Sequence, residues 1–168
     1  MSLSETQPRT RRAVLTLLAA LPLAACGFTP VYGPGGTAGA LRGQIEFAPP
    51  EDRLGFELVS QLENRIGRTN GARFQLDYDI QTSESALAVT VEEDINRINI
   101  TGVAAYALTD ISTGEQVQGG EVSSFTAFAS SGSPVAINSA RRDAETRLMT
   151  ILADQIVTRL LAGAPAAG

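Results

Sequence analysis

The spacing of apolar positions changes repeatedly along this chain. In QIEFA (Gln44–Ala48), Ile45 and Phe47 lie two apart, as in one short strand. Leu54, Leu58, Val59, Leu62 and Ile66 then recur at helical spacing, with Glu57, Glu63 and Arg65 on other faces, so one stripe of a helix is buried. Pro49-Pro50-Glu51-Asp52 marks the start of that helix, because prolines suit a first turn and carboxylates complement the positive end of the helix dipole. Asn70-Gly71 is the expected stop. From Phe74 the period is two: Phe74, Leu76, Tyr78 and Ile80 alternate with Gln75, Asp77, Asp79 and Gln81.

A turn is expected over Thr82–Ser85, followed by a strand alternating at Leu87, Val89 and Val91. Ile98, Ile100, Gly102, Ala104, Tyr106 and Leu108 form the longest alternating run. Ser112-Thr113-Gly114-Glu115 reads as a hairpin turn and Val117–Phe128 as the returning strand. Its phase shifts between Val117 and Val122, which places a bulge at Gly119-Gly120. After Ser130–Pro134 a last helix is expected, with Ala144, Leu148, Leu152, Ile156 and Leu160 four apart and Ile151 and Val157 widening the stripe; Gly163 and Pro165 end it. The predicted order is β-α-β-β-β-β-α. An α+β domain over residues 44–163, with an antiparallel sheet of four or five strands and two helices packed on one face, is the economical way to bury both stripes.

Upstream, the pattern belongs to export rather than to a fold. Arg9, Arg11 and Arg12 precede a run of thirteen apolar or small residues, Ala13–Ala25, interrupted by Pro22 and too short to span a membrane. Residues 1–25 therefore read as a signal peptide that is removed. Leu23-Ala24-Ala25-Cys26 fits the lipobox of bacterial lipoproteins, and Cys26 is the only cysteine, so it has no disulfide partner. The thiol must lie at the membrane surface once the apolar run is inserted, which is why it follows that run directly. Cys26 is the expected attachment point for a diacylglycerol on sulfur and an acyl chain on nitrogen. Each buried methylene contributes about 0.8 kcal/mol, so two or three chains anchor the protein stably. Thr10-Arg11-Arg12 also resembles a twin-arginine export motif, with the general secretory route as the default. Gly27, in place of an Asp, favours passage to the outer membrane. Residues 26–43, with Pro30, Gly33, Pro34, Gly35, Gly36 and Gly39, read as an extended tether, and 164–168 as a flexible tail.

Charge and composition narrow the chemistry. All thirteen basic residues are Arg; there is no Lys and no His. Losing residues 1–25 removes Glu5 and three arginines and leaves 17 acidic against 10 basic residues. So acidic a domain lacks the concentrated basic surface that nucleic-acid binding needs. Without His, Lys or a free thiol in the processed chain, the serines at 123–124 and 130–131 have no base to activate them. Asp77-x-Asp79 and Glu92-Glu93-Asp94 are the acidic clusters. They could form a metal site or a carboxylate pair, but Asp77 and Asp79 fall where alternation wants polar residues on a solvated face, and the second cluster would discourage edge pairing. No catalytic set, metal or cofactor is expected. Arg97 stands apart, in a predicted hairpin connection beside Asn96 and ahead of the most apolar strand. It can pair with Glu92, Glu93 or Asp94, or grip an anion with two guanidinium nitrogens, as a ligand with charged heads and apolar tails would require.

CGFTPVYG (Cys26–Gly33), NRINITGVAAYALTDISTGE (Asn96–Glu115) and RRDAETRLMTILADQIVTRL (Arg141–Leu160) together resemble the lipopolysaccharide-assembly lipoprotein family of Gram-negative bacteria, over nearly all of the processed chain. The Arg-only, alanine-rich composition resembles alphaproteobacterial members. The resemblance implies an outer-membrane lipoprotein, lipid-anchored and facing the periplasm, with two helices on a four-stranded sheet. That count makes Gln44–Ala48 either a short strand or part of the tether. It further implies a plug inside the lipopolysaccharide-translocating β-barrel (LptD-like) that assists barrel assembly and binds lipopolysaccharide for delivery to the outer leaflet. Family members hold the anionic lipid through basic side chains near strand ends. On that basis Arg97 with Asn96, and then Arg73, are the expected lipid contacts. The alternatives are an accessory lipoprotein of another envelope transport complex and a lipid-anchored hydrolase using the carboxylates.

Overall fold

A computed structural model of the chain describes residues 41–86 and 97–163. The expected signal peptide (1–25), Cys26 and the tether as far as residue 40, the Leu87–Val91 alternation, the Glu92–Asp94 cluster, Asn96 and the 164–168 tail lie outside the described residues. Leu41, at the end of the expected tether, is instead buried in the core. The elements are β1 (Ile45–Phe47), α1 (Arg53–Ile66), β2 (Phe74–Ala86), β3 (Arg97–Asp110), β4 (Gln116–Ala129) and α2 (Pro134–Gly163).

The four strands lie in the order β1-β2-β3-β4, with β2, β3 and β4 antiparallel and β1 parallel to β2. The sheet is therefore mixed, not the antiparallel one expected. The reason is the connection: α1 lies between β1 and β2, and a helix returns the chain to the end from which the first strand began. Gln44–Ala48 does contain a strand, and the described residues form four strands in all. Thr82–Ser85 is no turn. These residues continue β2, opposite Gly102 to Asn99 of β3.

Two helix boundaries also differ from expectation. The Pro-Pro pair precedes α1, and Asp52 is its N-cap, accepting a 2.7 Å bond from the Gly55 amide. α1 ends at Gly67, whose φ of 93° suits glycine and whose N–H reaches the Glu63 carbonyl at 2.8 Å, ahead of Asn70-Gly71. α2 starts as expected at Pro134 behind the cap Ser133.

The core lies between the helices and one sheet face. α1 contributes Leu58, Leu62 and Ile66; α2 contributes Ala144, Leu148, Met149, Leu152, Ala153, Ile156, Val157 and Leu160. Ile151, expected in the stripe, is instead exposed at the surface. The sheet answers with Ile45, Leu76, Ile100, Ala104, Leu108 and Val122, all nearly or wholly buried. Burying such side chains stabilises the fold by about 1.5–3 kcal/mol each. At Gly102 the helix approaches so closely that a Cβ would stand 2.8 Å from Leu148 Cδ2. Arg53–Glu145 and Arg65–Asp154 ion pairs tie the helices together, and their spacing shows both helices running the same way. The β4 irregularity falls at Val117, the extra residue between the Leu108–Gln118 and Thr109–Gln116 pairs, while Gly119 and Gly120 stay in register.

Candidate functional site

The helices cover one face of the sheet, and no described element covers the other. Odd-numbered residues of β2 and β3 point to that open face. Asp77 and Asp79 are exposed on it, bonded to the side-chain amides of Gln75 (2.9 Å) and Gln81 (3.2 Å). Among the described residues no group of three or more acidic or sulfur side chains is placed to hold a metal ion.

The two described arginines expected to meet lipid lie at opposite ends of the sheet. Phe74 pairs with Asp110 at one end and Ala86 with Ile98 at the other. Twelve strand steps separate these pairs, about 40 Å. Arg73 and Arg97 do not form one patch.

Arg73, just before β2, is held in place. Its Nε lies 3.5 Å from Asp110 Oδ2 and its guanidinium carbon 4.9 Å from the Phe74 ring centroid, although the side chain stays 65% exposed. Asp110 anchors the hairpin turn as well: its Oδ1 accepts from the Ser112 amide at 2.9 Å and from Ser112 Oγ at 2.6 Å. Those two bonds, with a smaller contribution from Arg73, hold the Asp110 carboxyl below its ordinary value against an opposing effect of burial. Gly114 N–H closes on the Asp110 carbonyl at 2.8 Å, so the expected turn is present. Asp110 is the buried charged residue of the described core. Sequence reading passed over it because a single Asp before Ser-Thr-Gly reads as ordinary turn chemistry.

Arg97 begins β3, opposite Ala129, and is exposed. Among the described residues it makes no ion pair. The next cross-strand rows on the same face are Ser85–Asn99–Ala127 and Ser83–Thr101–Phe125. Phe125 is 68% exposed, beside a shallow groove of about 370 Å³ lined by Asn99, Thr101 and Ser123. One guanidinium, several hydroxyl and amide groups and one bare aromatic ring thus share the far end of the open face. Phe125 was legible in principle. In SSFTAF it stands out of phase with the buried Phe128.

The profile of the LptE lipopolysaccharide-assembly family matches residues 43–160. This chain belongs to the LptE family. Among solved structures, a Caulobacter crescentus CB15 protein assigned as a lipoprotein aligns over 75% of this LptE-family chain and 93% of its own, with a TM-score of 0.64 at 23% identity. A minor lipoprotein from Acinetobacter baumannii covers 74% and 93% (TM-score 0.55, 13% identity). Rare lipoprotein B from Shewanella oneidensis covers 71% and 92% (TM-score 0.53, 11% identity). At such identities these likenesses establish a shared fold. No curated protein sequence matches the chain. No described helix of this LptE-family chain is long and apolar enough to cross a membrane.

Proposed function

We propose that this LptE-family chain is an outer-membrane lipoprotein, anchored through Cys26 and facing the periplasm, that plugs and assists assembly of an LptD-like lipopolysaccharide-translocating β-barrel. It binds lipopolysaccharide there for delivery to the outer leaflet and works without catalysis. The observation that carries this reading is the family match over residues 43–160. The lipobox at Leu23–Cys26 supports the anchor.

Arg97 is the first lipid contact in this reading, with Asn96 beside it in sequence and Arg73 as a second, separate contact. An exposed guanidinium next to hydroxyl groups and a bare Phe125 ring suits a ligand with phosphate heads and acyl tails. Depleting the protein should lower both folded barrel in the outer membrane and lipopolysaccharide at the cell surface. Normal levels of both would sink the proposal. Arg97→Glu should weaken lipopolysaccharide binding by about tenfold, the loss of one charge-assisted contact, while barrel association persists. Unchanged lipid binding would remove Arg97 from the site.

A further inference from the structure

We propose that the free outer edge of β2, from Tyr78 to Ala86, is a docking edge for an extended segment of a protein partner bearing arginine or lysine side chains, which adds to the sheet as a further strand.

The two edges of the sheet are treated differently. On the β4 side, backbone groups of residues 121, 123 and 127 point away from β3, and α2 meets their carbonyls. Arg159 donates to Glu121 O, Gln155 Nε2 to Ser123 O at 3.3 Å, and Arg147 Nη2 to Ala127 O at 3.3 Å. Side chains that occupy an edge in this way prevent another strand from pairing there.

On the opposite side β1 pairs with Phe74, Gln75 and Leu76 alone, and one more bond runs from the Ala48 amide to Leu76 O at 2.9 Å. Pro49 and Pro50 follow, and a proline cannot donate to a ladder. Even-numbered residues of β2 turn their N–H and C=O groups to this side, as the Phe74 amide and the Leu76 carbonyl show. From Tyr78 to Ala86 no described strand meets them, and residues 81–86 are all exposed. Unpaired backbone donors and acceptors on a formed strand are a template for strand addition, in which main-chain bonds supply affinity and side chains supply choice.

The charge beside this edge defines the partner. A groove of about 190 Å³ opens next to Tyr78 and Ile80, lined by Pro49, Glu51, Asp52 and Asp79. Among the described residues Glu51, Asp52, Asp77 and Asp79 form no ion pair; Glu84 alone along the edge has one, with Arg141 at 3.3 Å. The buried Tyr78 Oη has no hydrogen-bond partner among the described residues. Burial first, then the Asp52 and Glu51 carboxylates, push the Tyr78 phenol up, so it remains a neutral donor and acceptor at physiological pH. A basic side chain projecting from an added strand would meet carboxylates there and relieve their mutual repulsion.

The test is independent of the barrel and lipid reading. The full chain in detergent is titrated with an alternating (Arg-Val)4 peptide and with (Glu-Val)4, and amide hydrogen exchange is followed residue by residue. The basic peptide should slow exchange at Ile80, Thr82 and Glu84 by about tenfold or more and leave Gln81 and Ser83 unchanged, while the acidic peptide has no effect. Thr82→Pro removes one outward N–H without touching the β2–β3 ladder. It should keep the wild-type circular dichroism and weaken the basic peptide by about tenfold. Binding without the alternating protection, or equal binding by Thr82→Pro, would reduce the effect to surface charge and overturn the proposal. So would protection of those amides before any peptide is added, or protection that rises with protein concentration alone, since the edge would then be filled by this chain or a second copy. If Thr82→Pro fails to fold, the wild-type exchange pattern decides.

Discussion

Arg73 and Arg97 each stand at the beginning of a strand, yet the two ends of the sheet employ them differently. At the Arg73 end, Ile45, Leu76 and Leu108 are buried, the hairpin is closed by Asp110, and the guanidinium is shared between a carboxylate and the Phe74 ring. At the Arg97 end, the last six residues of β2 are exposed, and Arg97 has no ion pair among the described residues. α2, 30 residues and about 45 Å long, supports both ends from one side. The difference teaches that an arginine at a strand terminus cannot be assigned to a ligand by position. What decides is how much of its hydrogen-bonding and electrostatic capacity the fold already uses.

The largest effects test whether stability is concentrated at the Arg73 end. Leu76→Ala removes a wholly buried core side chain of β2, next to β1 in the sheet, and should cost about 2–5 kcal/mol. Thr101→Ala, on the open face near Arg97, should stay within about 0.5 kcal/mol. Urea midpoints with unchanged slopes measure both, and equal losses would abolish the contrast. Gly102→Ala comes next. Its new methyl would lie 2.8 Å from Leu148 Cδ2 and 3.3 Å from Leu152 Cδ1, both wholly buried, so the Leu148 side chain, α2 or the strand must shift. Overpacking of this kind costs about 1–3 kcal/mol. A neutral Gly102→Ala would show that α2 is loosely seated over the middle of the sheet.

The elements with a one-sided environment were legible in the sequence. The α1 and α2 stripes and the alternation of β3 each follow from a buried face opposite a wet one, and the structure buries Leu58, Leu62, Leu148, Leu152, Ile100 and Ala104 accordingly. Thr82–Ser85 was misread for the converse reason. That part of β2 is exposed on both faces, so it carries no alternation, and its small polar residues imitate a turn; pairing with β3 sets its conformation. The parallel β1–β2 pair was hidden because direction depends on the route of α1, which no local pattern records. In the candidate site, Arg97 could be singled out from its neighbours in sequence. The separation of Arg97 from Arg73 and the proximity of Phe125 depend on register, which sequence alone did not supply.

Lipid binding sharpens the comparison of the two ends. Arg97→Glu should reduce lipopolysaccharide affinity by about tenfold in our proposal, whereas Arg73→Glu should reduce it less, because the Arg73 guanidinium already serves Asp110. Binding curves for the two variants, collected at one salt concentration, decide the order. A larger loss for Arg73→Glu would reverse the assignment and move the principal contact to the turn end.

The smallest expected effect concerns acid. Bonds from Ser112, with help from Arg73, lower the folded-state value of Asp110 below its ordinary 3.8. Between the folded and unfolded values the unfolded chain binds more protons, so stability rises with pH in that window. The contribution is fully present above the unfolded value and disappears as pH falls through the folded one. Asp110→Asn should therefore be less stable than wild type at pH 7, and the gap should close as pH falls below about 4. Ser112→Ala removes the largest cause of the shift, so its acid-induced loss should be smaller and complete at a higher pH than in wild type. Urea midpoints between pH 2 and about 7 measure all three chains. If the Asp110→Asn and wild-type profiles run parallel through the acid range, the carboxylate does not fasten this end of the sheet, and the contrast between the two arginines loses its electrostatic basis.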